Sequence, residues 1–267
     1  MEFTKKESEA LNKPADKLLY DDHAVLLSAL EKLVQTGDKN NISACAIRVA
    51  MSLDRSRIPH HEKAYHWGVA ATKAKEAGSP CSNLYEVAGG LLGRDMDHYN
   101  SAKLYELAAD EAIVEGLSTD NVKKLFQLCR RQYELAGDSE KASDTFIKEN
   151  NYKLQSSVGI TKGFLYLYRA LSSYGESPLR VLFFALLVIC SCAVVYFATG
   201  IYSSLEAKVI HSISTSLYFS VVTFTTLGYG DYSPANSVAR LVASVQAVSG
   251  MLLTSLFLVT VVRKYSR

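Results

Sequence analysis

Charged side chains are nearly absent from the last third of this sequence. Residues 179–267 carry six basic and two acidic side chains, whereas residues 1–178 carry 23 and 25. The whole chain therefore has a formal net charge of only +2 at pH 7, and it lacks the basic excess that is typical of nucleic-acid binding. Because an ordinary soluble composition is joined to a nearly uncharged one, a single soluble domain is excluded and no nucleic-acid partner is expected.

The first residues lack the apolar run of a secretory signal peptide, since they read MEFTKKESEALNKPADK. We therefore expect the first part of the chain to stay in the cytoplasm. Paired CxxC spacings are also missing, and five reduced, mostly buried thiols are expected because cytosolic disulfides are rare. His60, His61 and His66 have no cysteine or carboxylate array at ligand spacing, so surface or helix-packing positions are favoured over a zinc site.

Motifs of nucleotide-binding and hydrolytic enzymes are missing as well. The sequence has no Walker-A loop, no Rossmann glycine fingerprint and no nucleophile elbow. Residues 89–95, GGLLGRD, lack the GxGxxG order and follow no predicted strand, so they indicate a helix end and a turn. We accordingly expect no enzyme activity, no catalytic residues and no cofactor.

Two long uncharged segments are present instead. Residues 181–198 contain no charged side chain, and neither do residues 241–262. About 20 apolar residues are needed to cross the hydrocarbon core as a helix, so spans over 181–202 and 240–262 are favoured over buried core helices. Three basic residues lie within residues 161–180 and three follow the second span, against two in the connection. Both termini are therefore expected on the cytoplasmic side of the cell membrane.

The connection between the spans combines a short helical segment with alternating glycines. Residues 211–226 are rich in serine, threonine and aromatics, and they are too short and too polar to cross the bilayer, so a re-entrant pore helix is predicted. Residues 226–230 follow, and non-helical backbone at membrane depth is tolerated only beside protein or a water-filled cavity. Gly228 and Gly230 can take positive φ, which lets successive carbonyl oxygens point the same way and replace the hydration shell of a cation.

The heptapeptide TTLGYGD at residues 225–231 resembles the selectivity-filter signature of potassium channels. Two spans around one re-entrant helix are similar to the prokaryotic two-transmembrane, one-pore potassium channels, and the resemblance covers residues 181–267. It implies a homotetramer that conducts potassium passively down its electrochemical gradient, with K⁺ as the transported substrate. No voltage sensor is expected, because no arginine-rich span precedes the pore.

The same resemblance implies roles for single residues of the connection. Filter carbonyl oxygens would bind K⁺, and the hydroxyl of Thr226 would close the innermost site. The residues that supply these groups are Thr226, Leu227, Gly228 and Tyr229, with Gly230 completing the filter. Leu227 stands where the family more often has valine or isoleucine, and Asp231 would lie at the outer mouth.

Three further positions are assigned by the resemblance with an alternative left open. Tyr218 and Phe219 sit where the family places aromatic rings that support the filter, although packing of the pore helix is an alternative role. Phe219 cannot donate a hydrogen bond, so one such support is expected to be absent. Gly250 lies where the family has an inner-helix hinge, or it permits close packing between helices.

The first 160 residues have helical periodicity and no strand-like alternation. Residues 63–78 align with residues 103–116 at an offset of 40, which resembles tetratricopeptide-like or Sel1-like helical-hairpin arrays. An unrelated helical bundle is the alternative. Such arrays bind peptides or hold assemblies together, so an unidentified cytoplasmic protein or ligand is the expected partner. Residues 161–180 are rich in aromatic and basic side chains and predict an interfacial linker in contact with lipid.

These observations predict an all-α protein with three regions. They are a cytoplasmic helical-repeat domain over 1–160, the linker over 161–180 and a two-span pore domain with a re-entrant pore helix over 181–267. The predicted function is a tetrameric potassium-selective channel that the N-terminal domain gates or assembles. Two alternatives stay open, namely a non-selective cation channel and a membrane-anchored helical-repeat scaffold with a silent pore.

Overall fold

The chain folds into two compact units, which are described separately. The computed structural model describes residues 3–54 and 56–265, except for the side chain of Tyr265. The N-terminal unit ends at Ser156 and the C-terminal unit begins at Ser157, four residues before the end of the predicted repeat domain. The predicted all-α class is confirmed for the described residues, with one small sheet added in the C-terminal unit.

The N-terminal unit is a linear array of antiparallel helices. Each helix packs mainly on the next helix in the chain, as expected for helical hairpins stacked in a row. The helices are α1 (Lys5–Asn12), α2 (His23–Thr36), α3 (Lys39–Asp54), α4 (His60–Glu76), α5 (Ser82–Arg94), α6 (His98–Val114), α7 (Thr119–Leu135) and α8 (Ser139–Ser156).

The repeat within this array has a different register from the one predicted. The buried positions of α4 and α6 correspond at a constant offset of 38, so that Trp67 matches Tyr105. The predicted offset of 40 is wrong, because it pairs Tyr65, which is 68% exposed, with Tyr105, which is 7% exposed. Alanines fill most of the remaining equivalent positions, and their small side chains let neighbouring helices approach closely.

The cysteines of the N-terminal unit lie in its core. Cys45, Cys81 and Cys129 are free and buried, and burial raises the pKa of each thiol, to about 11, about 11 and about 12 respectively. The two remaining cysteines are in the C-terminal unit, where Cys190 is exposed and Cys192 is partly buried. The prediction of reduced, mostly buried thiols therefore agrees with the fold for the three cysteines of the N-terminal unit.

The C-terminal unit contains two helices that are long and apolar enough to span a membrane. Its elements are α9 (Gly159–Ser172), α10 (Pro178–Thr199), β1 (Ile201–Ser203), β2 (Lys208–Ile210), α11 (Ile213–Phe224), β3 (Tyr232–Pro234) and α12 (Ser237–Tyr265). Helices α10, α11 and α12 pack against one another. The three strands form an antiparallel sheet in the order β2-β1-β3.

The boundaries of these elements differ from the predicted ones for local reasons. Helix α10 begins at Pro178, because proline is favoured in the first turn of a helix, where its missing N–H has no intrahelical role. It ends at Thr199 rather than at residue 202, since Gly200 takes a φ of +81° and residues 201–203 pair as a strand. Helix α11 is shorter than the predicted 211–226, and α12 is longer than the predicted 240–262.

Candidate functional site

The predicted filter lies between α11 and β3 and has an unusual backbone. Positive φ recurs at every second residue, with +60° at Thr226, +57° at Gly228 and +80° at Gly230. In a regular strand successive peptide groups face opposite sides. Alternation of left-handed and right-handed residues turns successive peptide N–H groups toward one side and leaves the carbonyls on the other. Two of the three positions are glycine, which takes this conformation without a Cβ clash.

The inner end of the filter is held by the last turn of α11. The backbone N–H of Thr226 donates to the carbonyl of Thr223 at 3.1 Å, and that of Leu227 donates to the carbonyl of Val222 at 3.1 Å. These bonds use carbonyl groups that a helix C-terminus otherwise leaves unpaired. The hydroxyl of Thr226 was predicted to close the innermost ion site. In a single chain it donates to the carbonyl of Thr225 at 2.7 Å.

The outer end of the filter is held by the small sheet. The backbone N–H of Ser204 donates to the carbonyl of Asp231 at 3.0 Å, and the Ser204 hydroxyl donates to the carbonyl of Gly230 at 3.2 Å. Strand β1 pairs with β3 directly beside this point, with Ser203 opposite Tyr232. The sequence did not indicate these contacts, because the strands are three residues long and their partners are about thirty positions apart.

The two aromatics predicted to support the filter have separate positions. The hydroxyl of Tyr218 donates to the Oδ2 atom of Asp231 at 2.8 Å, so this ring is joined directly to the outer mouth. Phe219 instead is buried and packs edge-to-face on Tyr196 of α10, with ring centroids 4.9 Å apart. Only Tyr218 of the pair is therefore brought to the filter segment by a described hydrogen bond.

The filter is uncovered in a single chain. Leu227 is 58% exposed and Tyr229 is 66% exposed, which is unusual for large apolar or aromatic side chains. Apart from the glycine itself and its two chain neighbours, no heavy atom of the described residues lies within 4 Å of where a Cβ at Gly228 or Gly230 would stand. Residues 227–230 are therefore largely uncovered in a single chain.

Gly250 lies very close to the last residue of α11, Phe224. A Cβ atom built at this position would stand 2.0 Å from the carbonyl oxygen of Phe224 and 2.9 Å from its carbonyl carbon. Helix α12 continues through this residue without a break, from Ser237 to Tyr265. Gly250 thus permits close packing of α12 on the end of α11, and its role as a hinge stays a prediction.

A buried polar network joins helices α10, α11 and α12, and the sequence did not predict it. The hydroxyl of Tyr196 donates to the Oε1 atom of Gln246 at 2.7 Å. The Nε2 atom of Gln246 donates to the Ser220 hydroxyl at 2.7 Å and to the Ser220 carbonyl at 3.1 Å. The Ser220 hydroxyl donates to the carbonyl of Ile189 at 2.7 Å. The available signal was Gln246 itself, the one amide side chain in the second uncharged segment.

Two of the three histidines that were considered for a metal site, His61 and His66, have ordinary side-chain contacts. His61 pairs with Asp95, with 3.2 Å between Nδ1 and Oδ2, and His66 meets the ring of His23 edge-to-face, with centroids 5.0 Å apart. Within the residues that the structure describes, no group of three or more histidine, cysteine, aspartate or glutamate side chains is arranged to hold a metal ion.

Comparison with known proteins finds a family match to the C-terminal third of the chain. Residues 183–267 match the family described as an ion channel. A protein of Rhodopseudomonas palustris that carries the name of a potassium channel is 33% identical over 91 residues, which cover 33% of this chain and 22% of that protein. The A-type voltage-gated potassium channel of rat is 33% identical over 94 residues, covering 34% of this chain and 14% of its own length.

The matches leave most of each relative uncovered. The Shal voltage-gated channel protein of Drosophila melanogaster is 32% identical over 78 residues, covering 28% of this chain and 14% of the fly protein. The chain thus spans less than a quarter of the length of each of these three relatives. No solved structure matches the chain.

Proposed function

We propose that this chain, whose residues 183–267 are related to ion channels, is one subunit of a potassium-selective channel of the cell membrane. The observation that carries the proposal is the backbone of residues 226–230, with positive φ at every second residue and hydrogen bonds at both ends. A backbone segment held in this form at membrane depth suits a line of cation-binding carbonyls. The chemistry is passive conduction, so the proposed protein is not an enzyme.

The proposed ion sites are built from backbone oxygens. Carbonyls of the filter would replace the water around K⁺, and several adjacent sites would let an entering ion displace the one ahead. The residues proposed to supply these carbonyls are Thr226, Leu227, Gly228 and Tyr229, with Gly230 at the outer limit. The C-terminal end of α11 carries the negative end of the helix dipole, which favours a cation on the inner side of the filter.

A ring of carbonyls requires more than one copy of the chain. Each chain would supply one oxygen per level, and Leu227 and Tyr229 of its filter segment are exposed in a single chain. Four copies around a cyclic axis would complete the rings that coordinate a dehydrated cation. We therefore propose a homotetramer in which the exposed faces of Leu227 and Tyr229 meet neighbouring copies or line the path.

We propose that lipid surrounds α10, α12 and the linker. Most of the surface of both long helices is exposed in a single chain. The basic residues near the ends of these helices favour an orientation with both termini in the cytoplasm. Helix α9 exposes Phe164 and Tyr166 beside Lys162 and Arg169. This combination suits a helix that lies at the membrane interface.

The N-terminal unit is proposed to bind a cytoplasmic partner or ligand and so to gate or assemble the channel. A groove of about 580 Å³ runs along α4 and α6, with Tyr65, Val69, Leu104 and Leu107 among its lining residues. Apolar and aromatic side chains that stay exposed in a groove are typical of a binding surface. We propose that the partner binds in this groove.

The experiment is potassium flux through the full-length protein in liposomes, compared with Gly228→Ala. Alanine at a φ of +57° is strained by about 1–2 kcal/mol in each subunit, so the carbonyl array should not form. We expect flux to fall about tenfold or more while the oligomer stays assembled on size-exclusion chromatography. Gly163→Ala in α9 is the matched control, because its Cβ also meets no neighbour. Unchanged flux in Gly228→Ala would contradict the proposed filter.

A further inference from the structure

The polar network of Tyr196, Gln246 and Ser220 lies in a part of the chain where polar groups are rare. All three residues are 1% exposed or less in a single chain. Tyr196 lies on α10, Gln246 on α12 and Ser220 on α11. Water is missing from the hydrocarbon core, so a polar group there must find its partner within the protein. Such residues inside membrane segments are usually tied to function.

Every hydrogen-bonding group of the network is used. Gln246 accepts one bond at Oε1 and donates two bonds from Nε2, which satisfies both of its donors. The Ser220 hydroxyl accepts from Gln246 and donates to the carbonyl of Ile189. A fully satisfied network in a medium of low dielectric constant favours one arrangement over any partly bonded alternative.

The network acts on the helix that carries the filter. Ser220 precedes Thr226 by six residues, a distance of about 9 Å along a helix axis. Between them lie Val222 and Thr223, whose carbonyls accept the first two hydrogen bonds of the filter. A shift or rotation of α11 would move those two carbonyls, and the start of the filter would move with them. Gln246 and Gly250 are one turn apart on α12, so α12 fixes α11 at two successive points.

We propose that Tyr196, Gln246 and Ser220 are positioning residues for ion selectivity. They hold α11 between α10 and α12, and in this way set the spacing of the filter carbonyls that distinguishes K⁺ from Na⁺. The inference rests on the proposed function, since it requires a conducting filter. It concerns residues that touch neither the ion nor the filter backbone.

The test compares three single substitutions in the full-length protein reconstituted into liposomes. Ser220→Ala removes the bond to Ile189 and one of the two bonds from Gln246, and Tyr196→Phe removes only the bond to Gln246. Ser216→Ala is the matched control, because Ser216 is one turn earlier on α11, equally buried, and has no hydrogen-bond partner for its hydroxyl within the described residues. The readouts are the ratio of potassium to sodium flux and the melting temperature of the protein in detergent.

We expect Ser220→Ala and Tyr196→Phe each to lower the potassium-to-sodium flux ratio by about threefold or more, whereas Ser216→Ala leaves it unchanged. Because both substitutions act through Gln246, the double variant should lower the ratio by less than the product of the two single effects. A network that only stabilises the fold would lower the melting temperature and leave the flux ratio at the wild-type value.

The outcomes separate this inference from the proposed function. A selective wild type with unchanged ratios in both variants overturns the inference alone. A wild type that shows no preference for potassium overturns the proposed function, and the inference with it. If Ser220→Ala does not assemble, Tyr196→Phe decides, since it removes a single oxygen atom and keeps the buried ring.

Discussion

Thr226 shows how far a single residue could be predicted. The positive φ values of Gly228 and Gly230 follow from the residue type, because glycine has no Cβ to clash. Thr226 has the same sign of φ, although a β-branched residue in this region is strained by about 1–3 kcal/mol. Its N–H bond to Thr223 and its hydroxyl bond to Thr225 hold the strained conformation, and neither bond was visible in the sequence.

The hydroxyl of Tyr218 is expected to matter for the outer end of the filter. Tyr218→Phe keeps the ring and removes one hydrogen bond to the carboxylate of Asp231. A single hydrogen bond at an exposed site contributes modestly, so we expect the potassium-to-sodium flux ratio to fall by about twofold to fivefold. Flux into liposomes measures it, with Tyr202→Phe on the adjacent strand as control. Equal ratios in Tyr218→Phe and wild type would show that this bond does not hold the filter.

At the scale of whole helices, the packing of α11 against α12 bears on the role of Gly250, for which the sequence left two alternatives open. Helix periodicity and the glycine were readable from the sequence, but the distance from Gly250 to Phe224 depends on how the two helices pack. With a Cβ only 2.0 Å from a backbone oxygen, no flexible side chain can move aside. The helices themselves would have to separate, which costs more than ordinary overpacking of about 1–3 kcal/mol.

Gly250→Ala is therefore expected to destabilise the C-terminal unit itself. We expect a lower melting temperature in detergent and a loss of assembled protein on size-exclusion chromatography. Ser249→Ala is the control, since Ser249 is only partly buried and its hydroxyl donates to the carbonyl of Val245 on the same helix. A Gly250→Ala protein with wild-type stability and altered gating would support a hinge role in place of close packing.

The C-terminal end of α12 is joined to the turn before α10. The Nε atom of Arg263 lies 3.0 Å from the Oε1 atom of Glu176, and its Nη1 atom donates to the carbonyl of Tyr174 at 3.4 Å. The sequence placed these residues near the same membrane face but could not pair them, because 87 positions separate Arg263 from Glu176. The contact links the linker region to the end of the helix that would line the inner pore.

Removing one charge of this pair should loosen that link. Glu176→Gln leaves the partly buried guanidinium of Arg263 without its carboxylate, which we expect to cost about 1–3 kcal/mol after allowing for exposure of the arginine. A fall in melting temperature in detergent would report it. The exchanged pair, Glu176→Arg with Arg263→Glu, is expected to recover part of the loss. Equal melting temperatures for Glu176→Gln and wild type would show that the pair contributes nothing to stability.

At the scale of the whole molecule, the change in charge density near residue 178 lies inside the C-terminal unit, which begins at Ser157. Charge density changes sharply along the chain because lipid and water select different side chains. The predicted repeat offset of 40 was wrong because it aligned identical residue types, Tyr65 with Tyr105. The sequence alone does not show that Tyr65 is exposed and Tyr105 is buried. The sheet that closes the outer end of the filter was missed because strands of three residues carry almost no periodic signal.

The most direct measurement is the uptake of potassium and of sodium into separate sets of liposomes that contain the full-length wild-type protein. Protein-free liposomes give the leak, and Gly228→Ala gives the flux that does not pass through an intact filter. The account predicts that potassium enters at least about tenfold faster than sodium, because only the larger ion matches a carbonyl array of this kind. Equal entry of both ions would contradict potassium selectivity, and entry of neither ion above the leak would contradict a conducting pore.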